Sequence, residues 1–192
     1  MPPPPIIEQQ TTNKTDDLSS ERGVNYTKLR DLLAGGEWKK ADEETLAVML
    51  QATSRETEGY LDIESIENFP CTDLRTIDQL WVEYSDGRFG FSVQKRIVQS
   101  VGGEPGKYDR EIYLKFAERV GWLVYEKKWL VLREENWTDY PDLTFNPKAP
   151  EGHLPYLYPK MGLRVIEGYR TLLIDDSRQY LSLNTLLSRR DL

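Results

Sequence analysis

The stretch from Tyr60 to Val98 constrains the fold most, because two apolar stripes of helical period flank one glycine-containing turn. Before the turn, apolar residues recur at spacings of three and four, with one neighbour alongside: Leu74, Ile77, Leu80, Trp81 and Tyr84. After the turn, a second stripe contains Phe89, Val93 and Ile97. Such spacings place side chains on one face of a helix, and Gly87 is suited to the left-handed conformation that ends many helices. The pattern predicts an αα-hairpin.

Helical patterning also occurs on both sides of this hairpin. Helices are predicted for residues 26–34, from about residue 37 onwards, and for residues 60–68, 108–120, 161–170 and 181–189. Residues 124–131 are compatible with a short β-hairpin or with a helix, and periodicity alone does not separate the two. Because the other elements are helical, the predicted fold class is all-α, a compact multi-helix domain.

A long loop is predicted between Asn136 and Pro159, where five prolines interrupt the chain. Three of its aromatic residues, Trp137, Tyr140 and Phe145, do not follow an apolar period. Long loops inside compact domains are usually functional. We therefore expect this loop to contribute to a binding surface, and to be ordered if the family resemblance described below holds. Packing of these rings against the domain is the competing explanation.

The first 23 residues differ in composition from the rest of the chain. They contain a run of four prolines followed by polar residues without apolar periodicity, which is typical of a disordered linker. The predicted organisation is therefore a tail or linker over residues 1–23 and one helical domain over residues 24–192.

Composition excludes several classes of function. The 192 residues have a net charge of −7 and a pI near 4.9, which disfavours binding to nucleic acid phosphates. One cysteine and one histidine are too few for a usual zinc site. No apolar run reaches the roughly 20 residues of a membrane span, so at most a peripheral membrane association is expected. We find no nucleophile–base motif, no glycine-rich phosphate loop and no set of metal ligands, and we predict that the protein is not an enzyme.

Three consecutive acidic residues, Asp42, Glu43 and Glu44, lie in an early turn of the second predicted helix. They admit two interpretations. Clustered carboxylates can bind a metal or perform acid–base chemistry, but acidic side chains are also favoured near the positive end of a helix dipole. The second interpretation, a solvated and dipole-matched face, is preferred.

Two segments of the central hairpin, FPCTDLRTIDQLW and GRFGFSVQKRI, resemble the core of the tetrapyrrole-binding domain of the genomes-uncoupled-four family. ADEETLAVML ahead of this core and APEGHLP and GLRV beyond it match the family in the same order. Several ordered matches are more specific than one short motif. The family regulates magnesium chelatase, and a divergent cyanobacterial paralogue fits the resemblance.

The resemblance implies a cupped surface, formed with the long loop, that binds a porphyrin. The WTDYP segment is similar to the WTxWP of the family. The implied ligand-binding residues are Trp137, Tyr140, Leu143, Phe145, Ile63, Ile66, Phe91, Val93, Met161 and Arg164. For Ile66, Phe91 and Val93, packing in the core explains the apolar side chain equally well. No metal-ligating residue is implied.

The resemblance further implies a non-enzymatic regulator that binds protoporphyrin or magnesium protoporphyrin. The porphyrin-binding subunit of magnesium chelatase is the expected partner, in the cytoplasm of a cyanobacterium or, less readily, in the chloroplast stroma. The chain departs from the family at Leu46 and Met161, where an arginine is common. The loss of two cations that could pair with propionates favours an altered preference among tetrapyrroles. One alternative is therefore a paralogue that binds an open-chain bilin as a sensor or carrier. Another is a domain that binds only proteins.

Overall fold

In the computed structural model, the described residues are 16–104, 106–107, 109–127, 133–157 and 176–192. Seven helices lie within these ranges: α1 (Thr27–Ala34), α2 (Trp38–Ala52), α3 (Ile63–Glu67), α4 (Cys71–Tyr84), α5 (Phe91–Ser100), α6 (Arg110–Arg119) and α7 (Asp176–Leu187). The all-α prediction is confirmed. Residues 161–170, predicted as a helix, lie outside the described residues.

A small antiparallel sheet resolves the ambiguity that the sequence left after α6. Strands β1 (Leu123–Lys127) and β2 (Arg133–Trp137) pair in a register that sets Leu123 opposite Trp137. A short 3₁₀ helix, Tyr140–Asp142, follows the second strand. The second strand of this sheet therefore leads directly into the proline-rich loop.

The predicted α4–α5 hairpin is confirmed, and its tight connection depends on a glycine. Gly90 has a φ of +128°, and a Cβ at this position would lie 2.9 Å from both Asp78 Oδ1 and Val82 Cγ2. The Ser92 amide donates to Asp78 Oδ1 at 2.8 Å, so a carboxylate from α4 satisfies an otherwise unpaired amide in the first turn of α5. A larger residue at position 90 would separate these two helices.

The core is centred on Trp81, which is fully buried. Its ring lies 6.1 Å from the ring of Trp38 and 6.4 Å from that of Phe89, measured between centroids. Its Nε1 donates to Thr45 Oγ1 at 2.9 Å, and the Thr45 hydroxyl donates to the Ala41 carbonyl. The polar edge of the indole is therefore satisfied inside the core, and α2 is joined to α4.

The N-terminal strap, defined as residues 16–23, corrects the prediction of a free tail over this part of the chain. It has no helix or strand, but it is hydrogen-bonded to α4. The buried carboxylate of Asp73 accepts from the Ser20 hydroxyl at 2.5 Å, the Glu21 amide at 2.9 Å and the Tyr26 hydroxyl at 2.8 Å. The Thr72 amide donates to the Glu21 carboxylate at 2.7 Å, so the strap caps the first turn of α4.

The C-terminal residues return to the central hairpin. Arg189 Nη1 donates to the Ile66 carbonyl at 2.9 Å, and Lys95 Nζ donates to the Arg189 carbonyl at 2.5 Å. These bonds fix the end of α7 against α3 and α5. Among the helices of the described residues, none has the length and hydropathy to cross a bilayer.

Candidate functional site

The proline-rich loop is anchored to α2 by Asp42, which is only 2% exposed. The Tyr140 hydroxyl donates to Asp42 Oδ2 at 2.9 Å, and the Tyr156 amide donates to Oδ1 at 2.5 Å. The prediction of a solvated acidic face is therefore wrong for Asp42, although Glu43 is exposed as expected and Glu44 forms an ion pair with Lys28. One buried carboxylate holds both ends of the loop.

His153 provides a second anchor inside the loop. It is buried, and its Nε2 accepts from the Thr144 amide at 3.2 Å while Nδ1 lies 2.6 Å from the Val120 carbonyl. Since Nε2 accepts, Nδ1 must carry the proton that is donated to Val120. Burial lowers the pKa of His153, so the neutral ring is favoured. The histidine therefore braces the loop against the end of α6.

The segment Ala149–Pro155 packs directly on the central hairpin. Gln94 Nε2 donates to the carbonyls of Gly152 at 3.0 Å and Pro155 at 2.9 Å. Gly152 has a φ of +74°, and a Cβ there would lie 2.5 Å from Ile97 Cδ1. The APEGHLP match therefore corresponds to a close approach of backbone to α5 that only glycine permits.

A row of five aromatic rings runs from α6 through the loop to its outer surface. The rings, in order, are Phe116, Trp122, Tyr156, Tyr140 and Phe145, with successive centroid distances of 5.3, 5.0, 6.1 and 5.3 Å. The first three are buried, and the last two are half-buried. The row thus begins in the core and ends at two partly exposed rings.

The exposed end of this row carries a cation from α2. Lys39 Nζ lies 5.8 Å from the centroid of the Tyr140 ring and 5.7 Å from that of the Phe145 ring, within the range of a cation–π interaction. Burial, followed by the charge of Asp42, raises the pKa of Tyr140, so its hydroxyl remains a donor. We call Lys39, Tyr140 and Phe145 the aromatic–lysine surface.

The structure divides the other predicted site residues into three groups. Ile66, Phe91, Val93 and Leu143 are buried in the hydrophobic core cluster. Trp137 is half-buried and stacks on Tyr113 with a centroid distance of 5.5 Å, while Ile63 is 38% exposed on α3. Met161 and Arg164 lie outside the described residues. The roles of all these residues in ligand binding stay predictions.

Sequence reasoning missed Lys39, Asp42 and Tyr156 as members of this region. A signal existed for Asp42, because it follows Trp38 by four residues and precedes Thr45 by three, and both are buried. A carboxylate at that spacing falls on the buried face of α2 rather than on the solvated one. Its partners come from residues 98 and 114 positions away, which local patterns do not reveal.

The arrangement suits non-covalent binding of a flat ligand. Aromatic rings held in place by hydrogen bonds and packing offer apolar area, and a lysine beside them offers a charge that can meet an anion. Within the described residues, no group of three histidine, cysteine, aspartate or glutamate side chains is placed to hold a metal ion.

These features define a helical domain whose anchored loop presents aromatic rings beside a lysine. The model of the GUN4-like family matches residues 19–171. The chain therefore belongs to the GUN4-like family.

Similar proteins come from cyanobacteria, plants and algae. The Ycf53-like protein of Synechocystis is 34% identical over 154 residues, which are 78% of this chain and 58% of that protein. The chloroplastic tetrapyrrole-binding protein of Arabidopsis thaliana is 28% identical over 77% of this chain and 54% of that protein. The structure of GUN4 from Chlamydomonas reinhardtii matches with a TM-score of 0.62 and 26% identity, covering 91% of this chain and 94% of that one. The chain thus spans a little over half the length of these two curated relatives.

Proposed function

We propose that the protein binds a tetrapyrrole and acts as a non-enzymatic regulator. Its membership in the GUN4-like family and the name of the Arabidopsis relative support this proposal. The observation that carries it is the aromatic–lysine surface, where two half-buried rings of a loop fixed by a buried carboxylate lie beside a lysine of α2. A macrocycle with an apolar face and carboxylates at its edge is complementary to such a surface.

The anchors of the loop favour binding because they reduce the conformational entropy that the loop loses when the ligand binds. Asp42 and His153 fix the loop through four contacts of their side chains. Rings that are already positioned lose less conformational entropy than rings on a free loop. The loop therefore acts as a prepared surface, with porphyrins such as protoporphyrin or magnesium protoporphyrin as its proposed ligands.

The proposed partner is magnesium chelatase, through its porphyrin-binding subunit, in chlorophyll biosynthesis. The resemblance of the central hairpin to the family supports this assignment. The proposed location is the cytoplasm of a cyanobacterium, with the chloroplast stroma as the second choice, because relatives come from both settings. Any association with membranes is proposed to be peripheral. Stimulation of purified chelatase by the protein, dependent on added porphyrin, would test this part of the proposal.

Ligand binding is tested by titration with protoporphyrin, magnesium protoporphyrin and biliverdin. Saturable quenching of tryptophan fluorescence and a shift of the visible band of the pigment are expected for at least one porphyrin. Phe145→Ala should weaken binding, because Phe145 is at the accessible end of the aromatic row. Val124→Ala is the matched control, since Val124 is a 53% exposed apolar residue of β1.

The same titration separates the alternatives. Saturation with biliverdin alone would favour the bilin-binding paralogue. No saturable change with any of the three pigments would contradict both tetrapyrrole assignments and leave a domain that binds only proteins. Equal losses in Phe145→Ala and Val124→Ala would show that the aromatic–lysine surface is not where the pigment binds.

A further inference from the structure

We infer that Lys39 is the residue of α2 that receives a carboxylate of the ligand. This inference rests on the proposed function and assigns one part of the ligand to one side chain. Lys39 is exposed, and its Nζ is nearly equidistant from the rings of Tyr140 and Phe145, at 5.8 and 5.7 Å from their centroids. No acidic side chain of the described residues forms an ion pair with it. A ligand stacked on these rings would bring its edge to this ammonium group.

The neighbouring charges mean that a cation at this position favours an anionic ligand. The Tyr140 hydroxyl is hydrogen-bonded to the buried carboxylate of Asp42, and Glu43 contributes a second negative charge nearby. The next lysine, Lys40, is already paired with Glu37. Without Lys39, an incoming carboxylate would lie near Asp42 and Glu43, and the neighbouring cation, Lys40, would remain paired with Glu37.

The geometry of α2 explains why Lys39, rather than a residue at position 46, is placed to bind the carboxylate. Lys39, Asp42 and Leu46 follow one another at spacings of three and four, so they lie along one face of the helix. Leu46 is 7% exposed, whereas Lys39, two turns earlier, reaches solvent beside the loop. The cation that the family often carries in this helix is thus replaced by one nearer the N-terminal end of the same face.

The test uses the full chain and compares Lys39→Gln with Lys40→Gln, each titrated with protoporphyrin and with its dimethyl ester. Exposed ion pairs are weak, so Lys39→Gln is expected to lose about two- to fivefold in affinity for the free acid and nothing for the ester. Lys40→Gln should lose little for either pigment. Raising the salt concentration should reduce the advantage of the unmodified protein over Lys39→Gln, because exposed charges are screened.

Each alternative result overturns the inference in a recognisable way. Unchanged affinity of Lys39→Gln for the free acid would show that another group receives the carboxylate, while binding of the pigment itself stands. Equal losses for acid and ester would show that Lys39 supports the rings rather than a charge. Failure of the unmodified protein to bind either pigment would remove the proposed binding of porphyrins, and the assignment of Lys39 with it. An unchanged melting temperature of Lys39→Gln confirms that the fold is intact in these comparisons.

Discussion

Tyr140 and Asp42 are 98 positions apart in the sequence, and the Tyr140 hydroxyl donates to the Asp42 carboxylate at 2.9 Å. The other oxygen of the same carboxylate accepts from the Tyr156 amide. Because Asp42 is buried, both donors depend on it rather than on water. The loop and α2 are therefore coupled, and a change at Asp42 should affect both the stability of the fold and the position of the aromatic rings.

Replacing Asp42 with alanine tests this coupling. The substitution leaves a buried amide and a partly buried hydroxyl without their acceptor, so the free energy of unfolding should fall by about 1–3 kcal/mol. Glu43→Ala is the control, because Glu43 is the exposed neighbour and its loss should cost about 0.5 kcal/mol or less. Urea titration measures both values. Equal stability of the two variants would contradict the anchoring role of Asp42.

The single histidine should show a depressed pKa. Burial is the first cause of the lowered pKa of His153, so in a proton NMR titration its ring should titrate below the usual value of about 6.5. In the folded state the neutral form is favoured, and the stability it contributes is present above the unfolded pKa and lost as pH falls towards the folded one. Titration at or above the usual value would contradict the buried, Nδ1-protonated ring.

The same histidine should make the stability of the protein depend on pH between its usual pKa of about 6.5 and its lowered pKa in the folded protein. In that window the free energy of unfolding should fall with decreasing pH by up to about 1.4 kcal/mol per unit. His153→Gln should be less stable near neutral pH, since it loses the contacts of the ring to Thr144 and Val120, but its stability should change less across the window. An identical slope in both proteins would assign the pH dependence to other groups.

The helices were predictable because their information is local. The stripe through Leu74, Ile77 and Trp81 has the period of a helix, and all three residues are buried in α4. The sheet after α6 was not resolved, because a short run of alternating and β-branched residues fits both structures. The Asp42 and Asp73 sites were missed since their partners lie far away in sequence, at Tyr140 and Ser20. Local patterns predict which faces are buried but do not predict which polar groups meet there.

The N-terminal strap should contribute to stability, contrary to its sequence-based interpretation. Comparing a chain that begins at residue 16 with one that begins at residue 24 isolates the strap. The shorter chain lacks the Ser20 and Glu21 donors to buried Asp73 and the carboxylate that caps α4. A loss of about 1–3 kcal/mol in the free energy of unfolding is expected, because the buried carboxylate of Asp73 loses two donors and keeps the Tyr26 hydroxyl. Coincident denaturation curves would show that water replaces the strap without cost.

Trp81→Ala should be among the most destabilising single substitutions. The side chain is fully buried against Trp38 and Phe89, and removing a large aromatic side chain from a core costs about 3–5 kcal/mol. The Thr45 hydroxyl also loses its donor. A loss below about 1 kcal/mol in denaturant titration would place Trp81 outside the core. Trp81→Phe, which keeps most of the ring volume, should lose less.

Introducing arginine at Leu46 or at Met161 should show how each of these two departures from the family pattern affects stability and porphyrin affinity. Leu46 is 7% exposed and lies on the face of α2 that carries Asp42, so Leu46→Arg must bury a charge or displace its neighbours, and the protein should become less stable. Met161 lies outside the described residues, and its position remains a prediction from the resemblance. If residue 161 lines the porphyrin site, Met161→Arg should bind protoporphyrin more tightly. The gain should be about 1.5–3 kcal/mol if the new pair of arginine and ligand carboxylate is shielded from water. It should be about 1 kcal/mol or less if that pair is exposed.

The dimethyl ester of protoporphyrin is the control for Met161→Arg, since it lacks the negative charges and should show no gain. The gain for the free acid should also shrink as the salt concentration rises. A double variant that combines Met161→Arg with Lys39→Gln tests whether the two cations meet different carboxylates, because independent pairs give additive changes in binding free energy. Unchanged affinity of Met161→Arg for acid and ester alike, with an intact fold, would show that residue 161 meets no carboxylate. Among the described residues, Lys39, beside the rings of Tyr140 and Phe145, would then remain the proposed partner of a ligand carboxylate.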